Sequence, residues 1–310
     1  MSVRALELFC GIGGFAAAVA GTNIQVVRAL DHDQDALDIY SLNFPGHKAV
    51  KQDLERIEAS ELAAFSADLW WLSPPCQPYC LRGAGRDLDD PRAASLVRIM
   101  DILEQLPGSS LPMHLALENV EGFYRSKARE WLITILSSRG YKILEPLICP
   151  TQLGIPSRRP RYYLTASRSP FRNPPPVAAT INLFLKDYLA HSPDCVVPVP
   201  LELPEQILSK FGKGLRIIDP DDPYAYTTCF TSGYGRSIMR SGSYLKCNGG
   251  ARYFAPEEIA RLLHFPDSYR FPEGMSLRRR WHFIGNSLSV AAVREVLKVF
   301  KTTPGPLPPS

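Results

Sequence analysis

Short apolar runs alternate with amphipathic stretches from Arg4 to Thr165, and this alternation restricts the chain to few folds. Residues 4–9, Gln25–Leu30, Leu69–Ser73, Leu115–Glu118, Lys142–Ile148 and Arg161–Thr165 read as buried strands. Helical patterns lie between them at Phe15–Ala20, Asp33–Phe44, Arg92–Leu106 and Lys127–Arg139. In the third of these, Leu96, Met100, Leu103 and Leu106 recur at helical spacing. Strand and helix in alternation predict an α/β fold, a mixed, mostly parallel sheet with helices on both faces. Ligands of such sheets bind outside the carboxyl ends of the strands. Asp31, Cys76 and Glu118 all fall at or just past a predicted strand end.

The pattern changes after residue 167. Pro170, the run Pro174–Pro176, Pro193, Pro198, Pro200 and Pro204 break any long helix. Residues 1–167 are therefore expected to form one domain and 168–255 a smaller, loop-rich one. Helices over Pro256–Leu263, with proline at its start, and Ser289–Phe300 return the chain to the first domain across 256–301. Residues 302–310, rich in proline, read as a disordered tail.

A net charge of +4 is compatible with a nucleic-acid partner and does not require one. The seven cysteines are odd in number and scattered, unlike a disulfide framework. Cys76 and Cys80 form the one close pair, and no second pair completes a zinc site, so no metal is expected. No apolar run reaches the roughly 18 residues of a membrane span. The chain enters a strand at once, so no signal peptide is expected. No membrane attachment is expected, and a reducing, cytoplasmic compartment is the simplest reading.

ELFCGIGG, Glu7 to Gly14, places Gly11, Gly13 and Gly14 between a strand and a helix. Glycines there let the backbone approach a ligand, and the helix N-terminus favours negative charge. Asp31 ends the second strand, where a carboxylate can bind both hydroxyls of a ribose. Asp53 can accept a hydrogen bond from an adenine amino group. The pattern points to an adenosine-containing cofactor and leaves NAD and S-adenosylmethionine both open. The third glycine of G-x-G-x-x-G is missing, which counts against a dinucleotide.

SPPCQPY, Ser73 to Tyr79, sets two prolines before Cys76 and one two residues after it. They keep the backbone rigid and out of helix, so the thiol can project from a fixed loop. A free thiol is only a few per cent ionised at neutral pH, and nucleophilic work needs positive charge nearby. Arg159 and Arg161 are candidates for that charge. ENVEG puts Glu118 at a strand end in a partly closed cleft, where its proton can be shared with a ring nitrogen.

ELFCGIGG, PPCQPY, ENV, SRRPR (Ser157–Arg161) and GNSL (Gly285–Leu288) stand in the order found in cytosine carbon-5 methyltransferases. From about residue 4 to 300 the chain strongly resembles that family. The resemblance implies a Rossmann-like, S-adenosylmethionine-dependent methyltransferase fold plus a small target-recognition domain. It implies that Cys76 attacks carbon 6 of cytosine while Glu118 holds and protonates ring nitrogen 3. Carbon 5 then takes the methyl group, leaving S-adenosylhomocysteine, and loss of the carbon-5 proton and of Cys76 releases 5-methylcytosine. Arg159 and Arg161 would orient the base and balance charge. Phe9, Gly11, Gly13, Gly14, Asp31, Asp53, Leu54, Pro74, Asn286 and Ser287 would bind the cofactor. Ser157 stands where the family usually has glutamine, and Glu7 replaces the commoner aspartate.

CFTSGYG (Cys229–Gly235), RYFAPEEIARLLHFP (Arg252–Pro266) and the GNSL ending resemble the tRNA-methylating branch, DNA methyltransferase homologue two. That likeness implies a tRNA substrate, with a cytosine of the anticodon loop as target, and makes duplex DNA the less expected partner. A monomer is expected. Lys51, Arg82, Arg86, Arg92, Lys127, Arg240 and Lys246, with Tyr79, Tyr234 and Tyr244 interleaved, are candidate phosphate and base contacts.

Overall fold

Leu69–Leu72 reads Leu-Trp-Trp-Leu, and all four side chains are buried. A strand that is apolar on both faces belongs inside a sheet covered on both sides. In the computed structural model this is the case. The structure describes residues 2–80, 85–172, 184–189, 201–247 and 249–300. Arg82, the run Pro174–Pro176, Pro193, Pro198, Pro200 and the tail 302–310 lie outside the described residues. The chain divides into two compact units. One comprises Met1–Ile148, Pro160–Pro176 and Val293–Ser310, the other Cys149–Arg159 and Val177–Ala292.

The first unit runs β1 (Val3–Leu8), α1 (Gly14–Val19), β2 (Ile24–Asp31), α2 (Gln34–Asn43), β3 (Ala49–Lys51), α3 (Ala59–Ala64) and β4 (Leu69–Leu72). It continues through α4 (Ala94–Gln105), β5 (His114–Val120), α5 (Lys127–Ser138), β6 (Lys142–Leu144) and β7 (Leu147–Ile148). After β8 (Ser157–Arg158), which belongs to the second unit, it resumes with β9 (Arg161–Ser167). The strand order is β3-β2-β1-β4-β5-β9-β6, with β7 also on β9. Strands β1 to β5 pair parallel, and β9 runs antiparallel to β5, β6 and β7. The order reverses between β1 and β4, the kind of switch point beside which α/β sheets bind ligands.

Local sequence explains the elements. All six residues of α1, Gly-Phe-Ala-Ala-Ala-Val, are buried, because small side chains let the helix press on the sheet. Phe15 stacks on Trp71 with ring centroids 5.0 Å apart. Asp33 caps α2 by accepting from the backbone N–H of Asp35 and Ala36. In α4, Leu96, Ile99, Met100, Ile102 and Leu103 form the buried face. Ser126 caps α5 through the N–H of Arg129.

The sequence reading needs three corrections here. The strand expected over Lys142–Ile148 is two strands, β6 and β7, broken at Glu145 and Pro146. Proline has no N–H for a ladder, and Glu145 turns away to pair with Arg129 at 2.6 Å. The helix expected from Arg92 begins at Ala94, after a 3₁₀ turn over Pro91–Ala93 that Asp90 caps. The loop-rich stretch after residue 167 contains a three-stranded sheet of β10 (Ile217–Ile218), β12 (Tyr244–Cys247) and β13 (Gly250–Tyr253). It also contains α6 (Glu205–Phe211), and β11 (Thr227–Thr228) pairs parallel with β8.

Helices α7 (Pro256–Leu262) and α8 (Leu277–Asn286) complete the second unit, and α9 (Val290–Leu297) leads out of it. Arg252 and Glu258 form a bidentate pair at 2.8 and 2.7 Å, with exposures of only 3% and 0%. Glu258 also accepts from the N–H of Ala255 at the start of α7. Among the described residues, no helix is long and apolar enough to cross a membrane.

Candidate active site

The turn after β1 has an unusual backbone. Phe9 adopts φ 58°, and Gly11 and Gly13 follow at 51° and 88°. A Cβ at Gly13 would lie 2.5 Å from the ring of Phe44, so both conformation and space demand glycine. A Cβ at Gly11 would meet nothing within 4 Å. The backbone at Gly11 is therefore open to close approach. Gly14 begins α1, and Phe9 packs against the core.

Asp31, at the end of β2, accepts from the N–H of Gly11 at 2.7 Å and of Asp33 at 3.0 Å. It thereby ties the glycine turn to the next strand. Its carboxylate also lies 3.3 Å from the exposed ring of His32 and raises the pKa of that imidazole. Asp53 is exposed, accepting from the N–H of Glu55 at 3.1 Å, and Leu54 beside it is buried. An open glycine turn, a strand-end carboxylate and an exposed acid next to an apolar residue fit the adenosine portion of a cofactor.

Glu7 lies beneath this turn and is fully buried. Burial pushes its pKa up to about 8, against the lowering effect of its hydrogen bond from the Tyr40 hydroxyl. Tyr40 donates to Glu7 Oε2 at 2.9 Å and lies 3.0 Å from His47 Nδ1. The longer side chain of Glu7 is thus an internal brace.

Cys76 follows β4 through Pro74 and Pro75. The Pro74 carbonyl accepts from Asn119 Nδ2 at 3.2 Å, so the ENV segment holds the PPC loop directly. Cys76 then opens a 3₁₀ turn over Gln77–Tyr79, closed by Tyr79 N–H to the Cys76 carbonyl at 3.0 Å. Tyr79 is buried edge-on against Phe123 at 4.7 Å, which anchors the turn. At the other end of the turn, the Cys80 N–H donates to the Gln77 carbonyl at 3.5 Å.

Glu118 and Arg161 complete the cluster. Arg161 Nε lies 3.2 Å from Glu118 Oε1, with side-chain exposures of 13% and 12%. The β5–β9 register makes them diagonal neighbours on one face, because Glu118 opposes Tyr163 and Val120 opposes Arg161. Both groups act on the Cys76 thiol. The neighbouring Cys80 thiol and burial raise its pKa, Arg161 lowers it, and Glu118 raises it.

Cys76, Glu118, Arg161, Pro74, Phe9, Gly11, Gly13, Gly14, Asp31, Asp53 and Leu54 all belong to the first unit. Arg159, Asn286 and Ser287 belong to the second. Arg159 is buried and donates to the Phe230 carbonyl at 2.9 Å, the Cys229 sulfur at 3.1 Å and the Gly285 carbonyl at 3.3 Å. It donates to the Ser287 carbonyl as well. One guanidinium thus joins CFTSGYG to GNSL. At Gly285 a Cβ would fall 2.3 Å from the Thr231 carbonyl oxygen. The glycine of GNSL is therefore where the Cys229–Gly235 segment crosses α8. Asn286 is exposed, as the last residue of α8.

The tyrosines expected as base contacts are interior residues. Tyr79, Tyr234 and Tyr244 are buried. Tyr234 donates to the Ser243 carbonyl at 2.6 Å and accepts from the Phe254 N–H at 3.0 Å. Lys246 pairs with Asp219 at 2.8 Å, and Arg92 with Asp90 at 2.7 Å. Cys80 and Asn119 had no assigned role in the sequence reading. Their part depends on a turn and on a loop-to-strand contact that no spacing rule signals.

Residues 3–192 match the family described as C-5 cytosine-specific DNA methylase. The chain is 30% identical to the tRNA (cytosine(38)-C(5))-methyltransferase of Bos taurus, over 96% of this chain and 98% of that protein. It is also 30% identical to the Schizosaccharomyces pombe protein of the same name, over 96% of each. Among solved structures, the Entamoeba histolytica methyltransferase EhMeth matches with a TM-score of 0.86 at 28% identity, covering 96% of this chain and 97% of that one.

Proposed function

Because the chain belongs to the C-5 cytosine-specific DNA methylase family, we propose that it methylates carbon 5 of a cytosine in tRNA, with Cys76 as covalent nucleophile and S-adenosylmethionine as donor. The observation that carries this reading is the Glu118–Arg161 ion pair acting on the Cys76 thiol at the carboxyl ends of β4 and β5.

Cytosine resists nucleophiles until electron density is drawn toward nitrogen 3. Glu118 holds that nitrogen and places a proton on it as the Cys76 sulfur adds to carbon 6. Arg161 steadies the Glu118 carboxyl group and favours the anionic sulfur that attacks. The proline-braced loop, tied by Asn119, holds the thiol in place and lowers the entropy of the encounter. When bound, S-adenosylmethionine supplies a methyl group made electrophilic by its sulfonium. Phe9, Gly11, Gly13, Gly14, Asp31, Asp53, Leu54 and Pro74 would hold it, with Asp31 on the ribose and Asp53 on the adenine. The second unit, organised around Arg159, reads the target in this proposal.

The family name mentions DNA, and the relatives reported above act on cytosine 38 of tRNA according to theirs. Similarity to those relatives over nearly the whole of both chains favours tRNA. Physical cost points the same way. The target base must leave its stack before a thiol can reach carbon 6, which costs a few kcal/mol in a duplex and less in a loop. A tritium-transfer assay on purified tRNA and on duplex DNA tests the choice, with label expected in tRNA. Label in DNA and none in tRNA would make this a DNA enzyme.

A further inference from the structure

We propose that Tyr124 is a stacking platform for the nucleotide base beside the target cytosine, a contact that holds the RNA once the target has left its own stack. The proposal rests on the reading of the chain as a tRNA cytosine methyltransferase. Every other tyrosine of the first unit, Tyr40, Tyr79, Tyr141, Tyr162 and Tyr163, is buried, whereas Tyr124 is 52% exposed.

The fold puts this ring at the rim that carries Cys76 and Glu118. A 3₁₀ turn over Glu121–Arg125 begins directly after β5, which holds Glu118. Phe123 anchors that turn. It lies edge-on to Tyr79 at 4.7 Å, within the turn that Cys76 opens, and 5.4 Å from the ring of Tyr162. Successive side chains of a 3₁₀ turn point about 120° apart, so an inward Phe123 directs Tyr124 outward.

The ring is held before any RNA arrives. Arg129, in the first turn of α5, lies over it with the guanidinium carbon 4.8 Å from the ring centroid. That guanidinium is clamped by Glu145 at 2.6 and 2.7 Å, and Glu145 also accepts from the Tyr162 hydroxyl at 2.5 Å. The Tyr162 ring lies 6.0 Å from that of Tyr124. With one face under Arg129, the exposure that remains belongs to the opposite face and the edge.

A fixed aromatic face of this kind suits a nucleobase, and a base loses a stacking partner when its neighbour swings out. Charge around the ring nearly cancels. Exposed Arg125 and Lys127 are balanced by exposed Glu121 and Glu130, and Arg129 by Glu145. The contact is therefore stacking and not phosphate binding. The same charged neighbours make the segment too polar for the core of a protein interface.

Equilibrium tRNA binding by the full chain, and methyl transfer at limiting and saturating tRNA, test this in wild type, Tyr124→Ala, Tyr124→Leu and Tyr124→Phe. The Ala and Leu variants should bind tRNA about 5- to 150-fold more weakly, the worth of one stacked base. KM should rise with little change in kcat, and Tyr124→Phe, which keeps the aromatic face, should restore binding. The slope of log Kd against log salt should match wild type throughout, since no phosphate contact is lost. The urea midpoint should move little, because the side chain lies at the surface. A second measurement reads the base itself. A stem-loop substrate with 2-aminopurine on one side or the other of the target cytosine should, at one of the two positions, fluoresce more brightly on Tyr124→Ala than on wild type. Unchanged tRNA affinity in Tyr124→Ala, a Leu variant that binds like wild type, an altered salt slope, or equal fluorescence at both positions overturns the proposal while wild-type methylation of tRNA still stands. A wild type that transfers no methyl group to tRNA overturns the function reading, and the stacking site falls with it.

Discussion

The two units use their motif residues in opposite ways. In the first, the ELFCGIGG, PPC and ENV strings end at strand tips with functional groups facing outward or sharing a shallow cluster. Gly11 borders open space, Asp53 is exposed, and Cys76 is only partly buried. In the second, the strings point inward. Arg159 joins CFTSGYG to GNSL, Gly285 makes room for the Thr231 backbone, and Arg252 and Glu258 are sealed together. A short sequence signature can therefore mark chemistry or architecture, and the pattern alone does not say which. The distinction has a measurable form. Loss of a chemical residue should reduce rate with little effect on stability, and loss of an architectural one should do the reverse.

The largest effect is expected at Cys76. Cys76→Ala should reduce methyl transfer by at least about 10,000-fold and abolish the 5-fluorocytosine adduct, with the urea midpoint nearly unchanged. An adduct that persists in this variant would assign the nucleophile elsewhere. Glu118→Gln should slow transfer by about 100- to 10,000-fold while binding of S-adenosylhomocysteine, followed by calorimetry, is retained. If stability fell and rate did not, Glu118 would belong with the architectural residues.

Arg252→Ala should destabilise the protein by about 3–5 kcal/mol, because it strands a buried carboxylate. Replacing both partners by apolar residues, Arg252→Met with Glu258→Leu, should recover most of that loss in urea unfolding. A fully exposed pair would behave otherwise, with both variants within about 1 kcal/mol of wild type. Gly285→Ala should cost about 1–3 kcal/mol through overpacking against Thr231.

Glu7 is the residue that could break the comparison, since it sits in a first-unit motif yet points inward. Its folded pKa is about 8, against an ordinary value of 4.5. The fold therefore prefers the protonated form, and this contribution to stability is fully present below pH 4.5 and lost as pH rises through 8. The loss should approach about 1.4 kcal/mol per pH unit within that window. Glu7→Gln, which stays neutral, should flatten the dependence of Tm on pH between 5 and 8. Parallel curves for variant and wild type would show that Glu7 keeps its charge in the fold.

Much of the first unit was legible because its central strands, β4, β5 and β9, are buried on both faces and its turns are marked by glycine and proline. Helices α4 and α5 were legible from apolar spacing. Helix α3 escaped notice because it spans six residues, Ala-Ser-Glu-Leu-Ala-Ala, with only Leu62 fully buried. Helix α8 was hidden by Arg278, Arg279 and Arg280, although Trp281, Phe283 and Ile284 supply its buried face. Strands β10 to β13 have two to four residues each, too short for any alternation to register. In the candidate site, Cys76 and Glu118 were visible because each ends a strand within a distinctive string. The separation of Arg159 from Arg161 was not visible. Two arginines flanking one proline look equivalent in sequence, yet they belong to different units.

The antiparallel entry of β9 carries a final consequence. Arg161 begins its strand and Glu118 nears the end of its own, and only opposed directions let a beginning meet an end. Seven consecutive residue pairings, from His114 with Ser167 to Val120 with Arg161, act as the vernier that sets this encounter. A one-residue slip along that scale would offer Glu118 a tyrosine and turn the guanidinium to the opposite side of the sheet. Every pocket side chain would survive such an error, and the chemistry would be lost by misalignment alone.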